Sequence, residues 1–175
     1  DGNGVAGVEI QLSVLSERWQ KGYWVGDPIA NRWFTVVNAT CDDEDTNRNG
    51  VLDVGEDLNG NGLIDVGNTA VIRPGVATTD DTGQILAFID YAQEVSTWLQ
   101  VVVEAKTDVQ GTEFSENSSF LLPVLSADVT SINIFPPGNT VVQDPANGYP
   151  NGDLGGLLLG PVSPFGYSLS CFDDL

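Results

Sequence analysis

Between Asp45 and Asn68 the chain runs twice through one twelve-residue pattern, DTNRNGVLDVGE followed directly by DLNGNGLIDVGN. No helix or strand periodicity fits this stretch, so it must be organised by something other than a hydrophobic face. Each repeat has oxygen-bearing side chains at positions 1, 3, 5, 9 and 12, glycine at 6 and an apolar residue at 8. A calcium ion takes roughly six to eight oxygens at about 2.3–2.6 Å, and a curling chain presents alternate side chains to it. The pattern therefore predicts a first site from Asp45, Asn47, Asn49, the Val51 carbonyl, Asp53 and a bidentate Glu56. The second would use Asp57, Asn59, Asn61, the Leu63 carbonyl, Asp65 and Asn68, giving two calcium ions in all. Asn68 lacks the second charged oxygen, so Asp45→Ala should weaken binding more than Asn68→Ala. Because Glu56 closes one repeat and Asp57 opens the next, no helices can flank the loops. A cation here can rigidify the chain but has no helix pair to open.

The rest of the composition agrees with a bound cation. There are 25 Asp and Glu against 6 Lys and Arg, a formal net charge of -19. Self-repulsion of that size disfavours a compact state unless counterions are held, and eight of the acids fall between Asp42 and Asp65. Nucleic acid is excluded as a partner, because its binding requires basic groups to neutralise phosphates, and anionic membrane surfaces are disfavoured for the same reason. No apolar run approaches the roughly 18 residues of a membrane helix, so membrane insertion is not expected. The polar start Asp1-Gly2-Asn3-Gly4 is not a signal peptide; the expectation is a removed leader or a longer precursor. Histidine is absent, which excludes Ser–His and Cys–His nucleophilic systems and His-ligated metals. Two-carboxylate glycoside hydrolysis is the surviving enzyme class, but the obvious acids are committed to metal, and no catalytic residues are expected.

Outside the repeats the chain reads as strands. Val8, Ile10, Leu12 and Val14 alternate with polar residues across Val5–Leu15, the pattern of a half-buried strand. Further strands are expected at Trp33–Thr40, Thr69–Arg73, Val76–Thr79, Gln84–Tyr91, Ser96–Thr107 and Thr112–Leu122, separated by Gly, Asp and Pro turns. In the strongest of these Leu99, Val101, Val103 and Ala105 share one face. Many short strands with no amphipathic helix predict an all-β antiparallel sandwich over residues 1–135, with 41–68 as an insertion. Residues 136–166 hold thirteen Gly or Pro, unsuited to a central strand or helix. An extended tail, 136–175, packed on the domain is expected.

Cys41 and Cys171 are too far apart in sequence for a CxxC motif. One long-range disulfide is predicted, tying the tail to the mouth of the insertion. Trp19, Tyr23, Trp24 and Trp33 have two readings, core packing or a sugar-stacking platform that would make surface glycans a partner; core packing is preferred. The sequons Asn38-Ala-Thr40 and Asn117-Ser-Ser119 read as ordinary polar triplets.

The segments GNGVAGVEIQLSV, Cys41 before EDTNRNGVLDVGEDLNGNGLIDVGN, VATTDDTGQILAFIDYAQ, STWLQVVVEAKT and GTEFSENSSF together resemble bacterial Ig-like domains of the invasin and intimin type. The abutting loops resemble the calcium repeats of thrombospondin type 3 domains. The resemblance covers about residues 3–128 and is most specific in the loops. It implies an Ig-like sandwich in an extracellular or cell-surface structural protein, either a filament subunit or an adhesin module. The carbohydrate-binding module is the alternative. Domains of this type have a strand before the GNGVAG turn that is missing here, so an open edge is expected, filled by the tail or by strand donation from another copy into a homopolymer.

Overall fold

The computed structural model describes residues 4–109, 111–139 and 156–172. Residues 1–3, Gln110, 140–155 and 173–175 lie outside the described residues, among them a large part of the expected tail.

The fold is all-β and antiparallel, and it is organised around one strand. The first strand, β1, runs Glu9–Asp27, far beyond the stretch whose alternation announces it. One side of β1 pairs with β4 (Val76–Thr78) and then with β2 (Arg32–Asp42). The other side pairs with β6 (Leu99–Val109) and then with β8 (Leu158–Val162). Outside β6 lies β7 (Thr112–Leu121), so the main path is β2-β1-β6-β7. A second, two-stranded sheet joins β3 (Ala70–Arg73) to β5 (Phe88–Tyr91). Its Ala70, Ile72, Ile89 and Tyr91 pack against Val14, Leu99, Val101 and Val103 of the main sheet. Among the described residues a 3-10 turn at Gln93–Val95 and a short α-helix, α1 (Ser126–Val129), interrupt the strands.

Alternation fails inside β1 for a specific reason. Ser16 opposes Val101 and Arg18 opposes Gln100, which leaves Glu17 as an extra residue. Such a bulge reverses the parity of every position after it. Val14 and Trp19, opposite in parity, therefore share the face that carries Val103, Val101 and Leu99. Beyond the bulge β1 is covered on both faces, and every residue from Lys21 to Gly26 is buried. Trp24 joins the main core, edge-on to Trp98 at 5.9 Å, while Tyr23 and Val25 pack with Val162, Leu157 and Leu159 of the tail.

The tail is structural where it is described. β8 is a short strand on β1, Phe165 is 5 % exposed and meets Trp19 edge-on at 5.6 Å, and Ser163 N–H donates to the Gly22 carbonyl at 3.0 Å. Gly160 admits the tail to this position: a Cβ there would stand 2.6 Å from Cζ3 of Trp33 and 2.9 Å from Cβ of Trp24. The indole of Trp33 donates to the Ser131 and Ile134 carbonyls and that of Trp24 to the Pro137 carbonyl, which pins the approach to the tail. Cys41 and Cys171 form the predicted disulfide, with Cα atoms 5.5 Å apart. Disulfides persist in non-reducing surroundings. Among the described residues no helix is long and apolar enough to cross a membrane.

Candidate metal centre

The repeat segment leaves the sheet after β2 and returns at β3, fastened at its base to β1. Asp43 N–H donates to the Glu17 carbonyl at 3.0 Å, Ser16 Oγ to the Gly67 carbonyl at 2.8 Å, and Asn68 Nδ2 to the Val14 carbonyl at 3.1 Å.

Within this frame the two repeats take the same backbone shape. Glycine at position 6 has φ of 74° in Gly50 and 78° in Gly62; position 4 is left-handed in both, as Arg48 at 61° and Gly60 at 78°. Glycine is favoured in that region because it has no Cβ to clash with its own carbonyl.

The side chains follow the same duplication. In the first loop Asp45 accepts from the N–H of Asn49 at 3.0 Å and of Gly50 at 2.8 Å. Asn47 and Asn49 each direct Nδ2 to the same Asp53 oxygen at 2.8 Å. In the second loop Asp57 accepts from Gly60 N–H at 2.7 Å and Gly62 N–H at 3.0 Å, and Asn59 and Asn61 converge on one Asp65 oxygen at 2.6 and 3.0 Å. The amide donors hold Asp53 below the usual carboxylate range. Two partial positive charges thus meet the carboxylate oxygen in each loop, the electrostatic task a cation would perform there. Among the described residues no three carboxylates are already drawn into one cage.

Position 12 is where the two loops part. Glu56 closes the first loop as expected: Oε2 accepts from Asp53 N–H at 2.9 Å, and Oε1 from Thr46 Oγ at 2.8 Å and Asn47 N–H at 3.3 Å. These donors, the Asp53 N–H foremost, lower its pKa. Asn68 does not close the second loop, because its amide is turned to Val14 on β1. Glu44 stands in that role. Its Oε2 accepts from Asp65 N–H at 3.0 Å, as Glu56 does from Asp53, and its Oε1 accepts from Leu58 N–H at 3.0 Å, at the position that Thr46 holds in the first loop. The backbone agrees, with Glu44 N–H on the Asp65 carbonyl at 2.9 Å and Glu56 N–H on the Asp53 carbonyl at 3.1 Å. Asn68, the expected twelfth residue, thus donates to the sheet, and Glu44 makes the contact to Asp65 that Glu56 makes to Asp53. A sequence signal for Glu44 exists: a glutamate precedes each DxNxNGxxD run, as Glu44-Asp45 and as Glu56-Asp57.

The charges are enclosed. Glu44, Glu56 and Asp65 are 3 %, 5 % and 4 % exposed, and none takes part in the ion pairs found among the described residues. Next to them, burial pushes the Asp43 carboxyl up to about 6, with Asp45 and Glu44 adding repulsion. Buried carboxylates are held by pairing with a cation or by neutralisation. The donor atoms these side chains offer are oxygens, the kind a hard divalent cation takes.

The aromatic platform does not form. Trp19, Tyr23, Trp24 and Trp33 are each less than a tenth exposed and belong to the two core clusters, leaving no ring face for a sugar. Of the sequon residues, Asn38 is engaged with the Tyr167 carbonyl, whereas Asn117 lies exposed on β7.

Comparison with protein-family models, with curated proteins and with solved structures finds no match.

Proposed function

We propose that this chain is an extracellular structural module, a calcium-stabilised Ig-like sandwich that serves in a surface fibre or adhesin and has no catalytic role. The observation that carries the reading is the pair of duplicated oxygen-lined loops, with three carboxylates enclosed and unmatched by a basic side chain. The loops join β2 to β3 and are fastened to β1 at Ser16 and Glu17, so a cation bound there stiffens the sandwich. Calcium sites of extracellular modules have dissociation constants of roughly 0.1–1 mM, suited to calcium-rich surroundings outside a cell. The disulfide supports the same location.

Self-association by strand addition is the assembly mode that fits. β7 is exposed at every residue, and its ladder to β6 runs without a register shift. It also lacks Lys and Pro, the residues that blunt edges in monomers. A strand from a second copy added there without closing a ring makes a filament.

The test is thermal unfolding in about 2 mM calcium against excess EGTA. Two sites filled at roughly twenty times their dissociation constants contribute about 3–4 kcal/mol by mass action. For a domain of this size that is a fall of roughly 7–14 °C on chelation. Superimposable melting curves would sink the calcium reading. Sedimentation in calcium from low to high micromolar tests assembly, and a persistent monomer refutes strand addition.

A further inference from the structure

The outermost strand of the main sheet is a near-palindrome. From Phe114 to Phe120 β7 reads FSENSSF, with Asn117 at its centre. Among the described residues β7 pairs only with β6, along one continuous antiparallel ladder. Opposed residues in such a ladder alternate between exchanging both backbone bonds and exchanging none. Leu122 N–H donates to the Leu99 carbonyl at 2.9 Å, and next to it Leu121 stands against Gln100. Counting back from Leu122, the even-numbered residues of β7 turn their backbone groups to β6. Glu113, Ser115, Asn117, Ser119 and Leu121 turn theirs outward, a row of donors and acceptors with no ladder partner among the described residues. The side chains alternate by face as well. Phe114 and Phe120 oppose Thr107 and Val101, so they carry the face of Val101 and Val103 out to the edge, where they are 55 % and 38 % exposed.

We infer that β7 is a homodimer interface, in which the β7 strands of two copies pair antiparallel about a two-fold axis through Asn117. This rests on the strand-addition reading above and names the strand that is added, β7 of a second copy. An outward residue can exchange bonds only with another outward residue. Two such registers overlap the strand almost fully, one centred on Glu116 and one on Asn117. The first sets the two Glu116 carboxylates opposite each other, which like charges disfavour. The second sets Asn117 against Asn117, Ser115 against Ser119 and Glu113 against Leu121 as bonded pairs. Between these, at the pairs whose side chains come closest, Phe114 meets Phe120 of the second copy on both sides of the axis, and Glu116 meets Ser118. No carboxylate then opposes another, and each exposed ring gains an aromatic neighbour. The cost that remains is electrostatic: the two Glu116 side chains are diagonal neighbours across the axis, and each chain carries a formal net charge of -19. Pairing β7 with β7 uses the free edge of both copies, so the assembly closes at two. A fibre is then built by joining such pairs through another surface.

The experiment is sedimentation equilibrium of the full chain in calcium, joined to disulfide trapping. A monomer–dimer equilibrium is expected, and it should shift toward dimer between about 0.1 and 0.5 M salt, because screening weakens the repulsion. Glu116→Gln should tighten dimerisation by roughly two- to fivefold, the range of one cross-strand pair. Ser115→Pro should weaken it by more than about tenfold, since its N–H faces outward and proline there blocks the edge without taking a bond from β6. Asn117→Cys should cross-link into a covalent dimer under mild oxidation, because bonded pairs stand about 5.5 Å apart at Cα, within the span of a disulfide. Ser115→Cys alone should not cross-link, but should do so when mixed with Ser119→Cys. Near-UV circular dichroism of each variant, unchanged, shows that the sandwich remains folded. The inference is overturned by a dimer that Ser115→Pro leaves intact, which uses another surface, or by one in which Asn117→Cys fails to cross-link, which has another register. It is also overturned by species that grow beyond the dimer and vanish in Ser115→Pro; the added strand is then a different segment, and strand addition still stands. A monomer at every concentration would instead remove the strand-addition reading beneath it.

Discussion

Replacing both bridging cysteines, Cys41→Ser with Cys171→Ser, tests how the tail is held. The residues are 130 positions apart. Closing so long a loop removes chain entropy from the unfolded state worth about 5 kcal/mol. The folded state should change far less, because the tail has other attachments. β8 keeps its ladder to β1, Phe165 stays edge-on to Trp19, and Gly22 N–H still donates to the Gly166 carbonyl at 2.9 Å. The variant should therefore fold to the same structure and melt lower by roughly 10–20 °C, at about 2–4 °C per kcal/mol for a domain of this length. The assay is thermal unfolding in saturating calcium, with tryptophan emission recorded well below the transition. A fall of less than about 4 °C would refute the entropy reasoning. A red-shifted emission in the folded variant would refute the independent docking of the tail, because it would mean that Trp19 had lost Phe165.

Gly160→Ala should cost about 1–3 kcal/mol by overpacking against the Trp33 and Trp24 side chains, measured by urea unfolding; a neutral result would mean that the tail shifts without penalty. Arg48→Gly should raise stability by about 0.5 kcal/mol in calcium, since the relief of a left-handed residue exceeds the added freedom of the unfolded chain. A loss above about 1 kcal/mol would show that the Arg48 side chain, not its backbone, matters there.

The sequence made different parts of this molecule legible for different reasons. Strand β7 could be placed within one residue because its ladder is regular and turns bound it on both sides. The first strand was seen only as far as its period of two survived. The Glu17 bulge shifts that period, and the following residues are buried on both faces, so Lys21–Gly26 carry no alternation to detect. The loops declared themselves through glycine and oxygen spacing, which is local chemistry. Glu44 did not, because it reaches its loop through space, and the counting that began at Asp45 left it outside the frame. The buried aromatics were ambiguous from composition. Their burial depends on tail segments 131–137 and 157–167, whose Gly and Pro content hides their packing role.

The arrangement of β1 also fixes an order of events in time. As the chain is made, β1 and β2 emerge one after the other and can pair as a hairpin. The other side of β1 then waits: its first half for β6, and its second half for β8, beginning at Leu158. Until Leu158–Val162 has appeared, the stretch around Tyr23 and Val25 keeps an open edge and an uncovered apolar face. That is the condition under which growing β proteins misassociate. A segment made late in this stretch thus seals one made early, and a truncation anywhere before Leu158 leaves that side of β1 exposed.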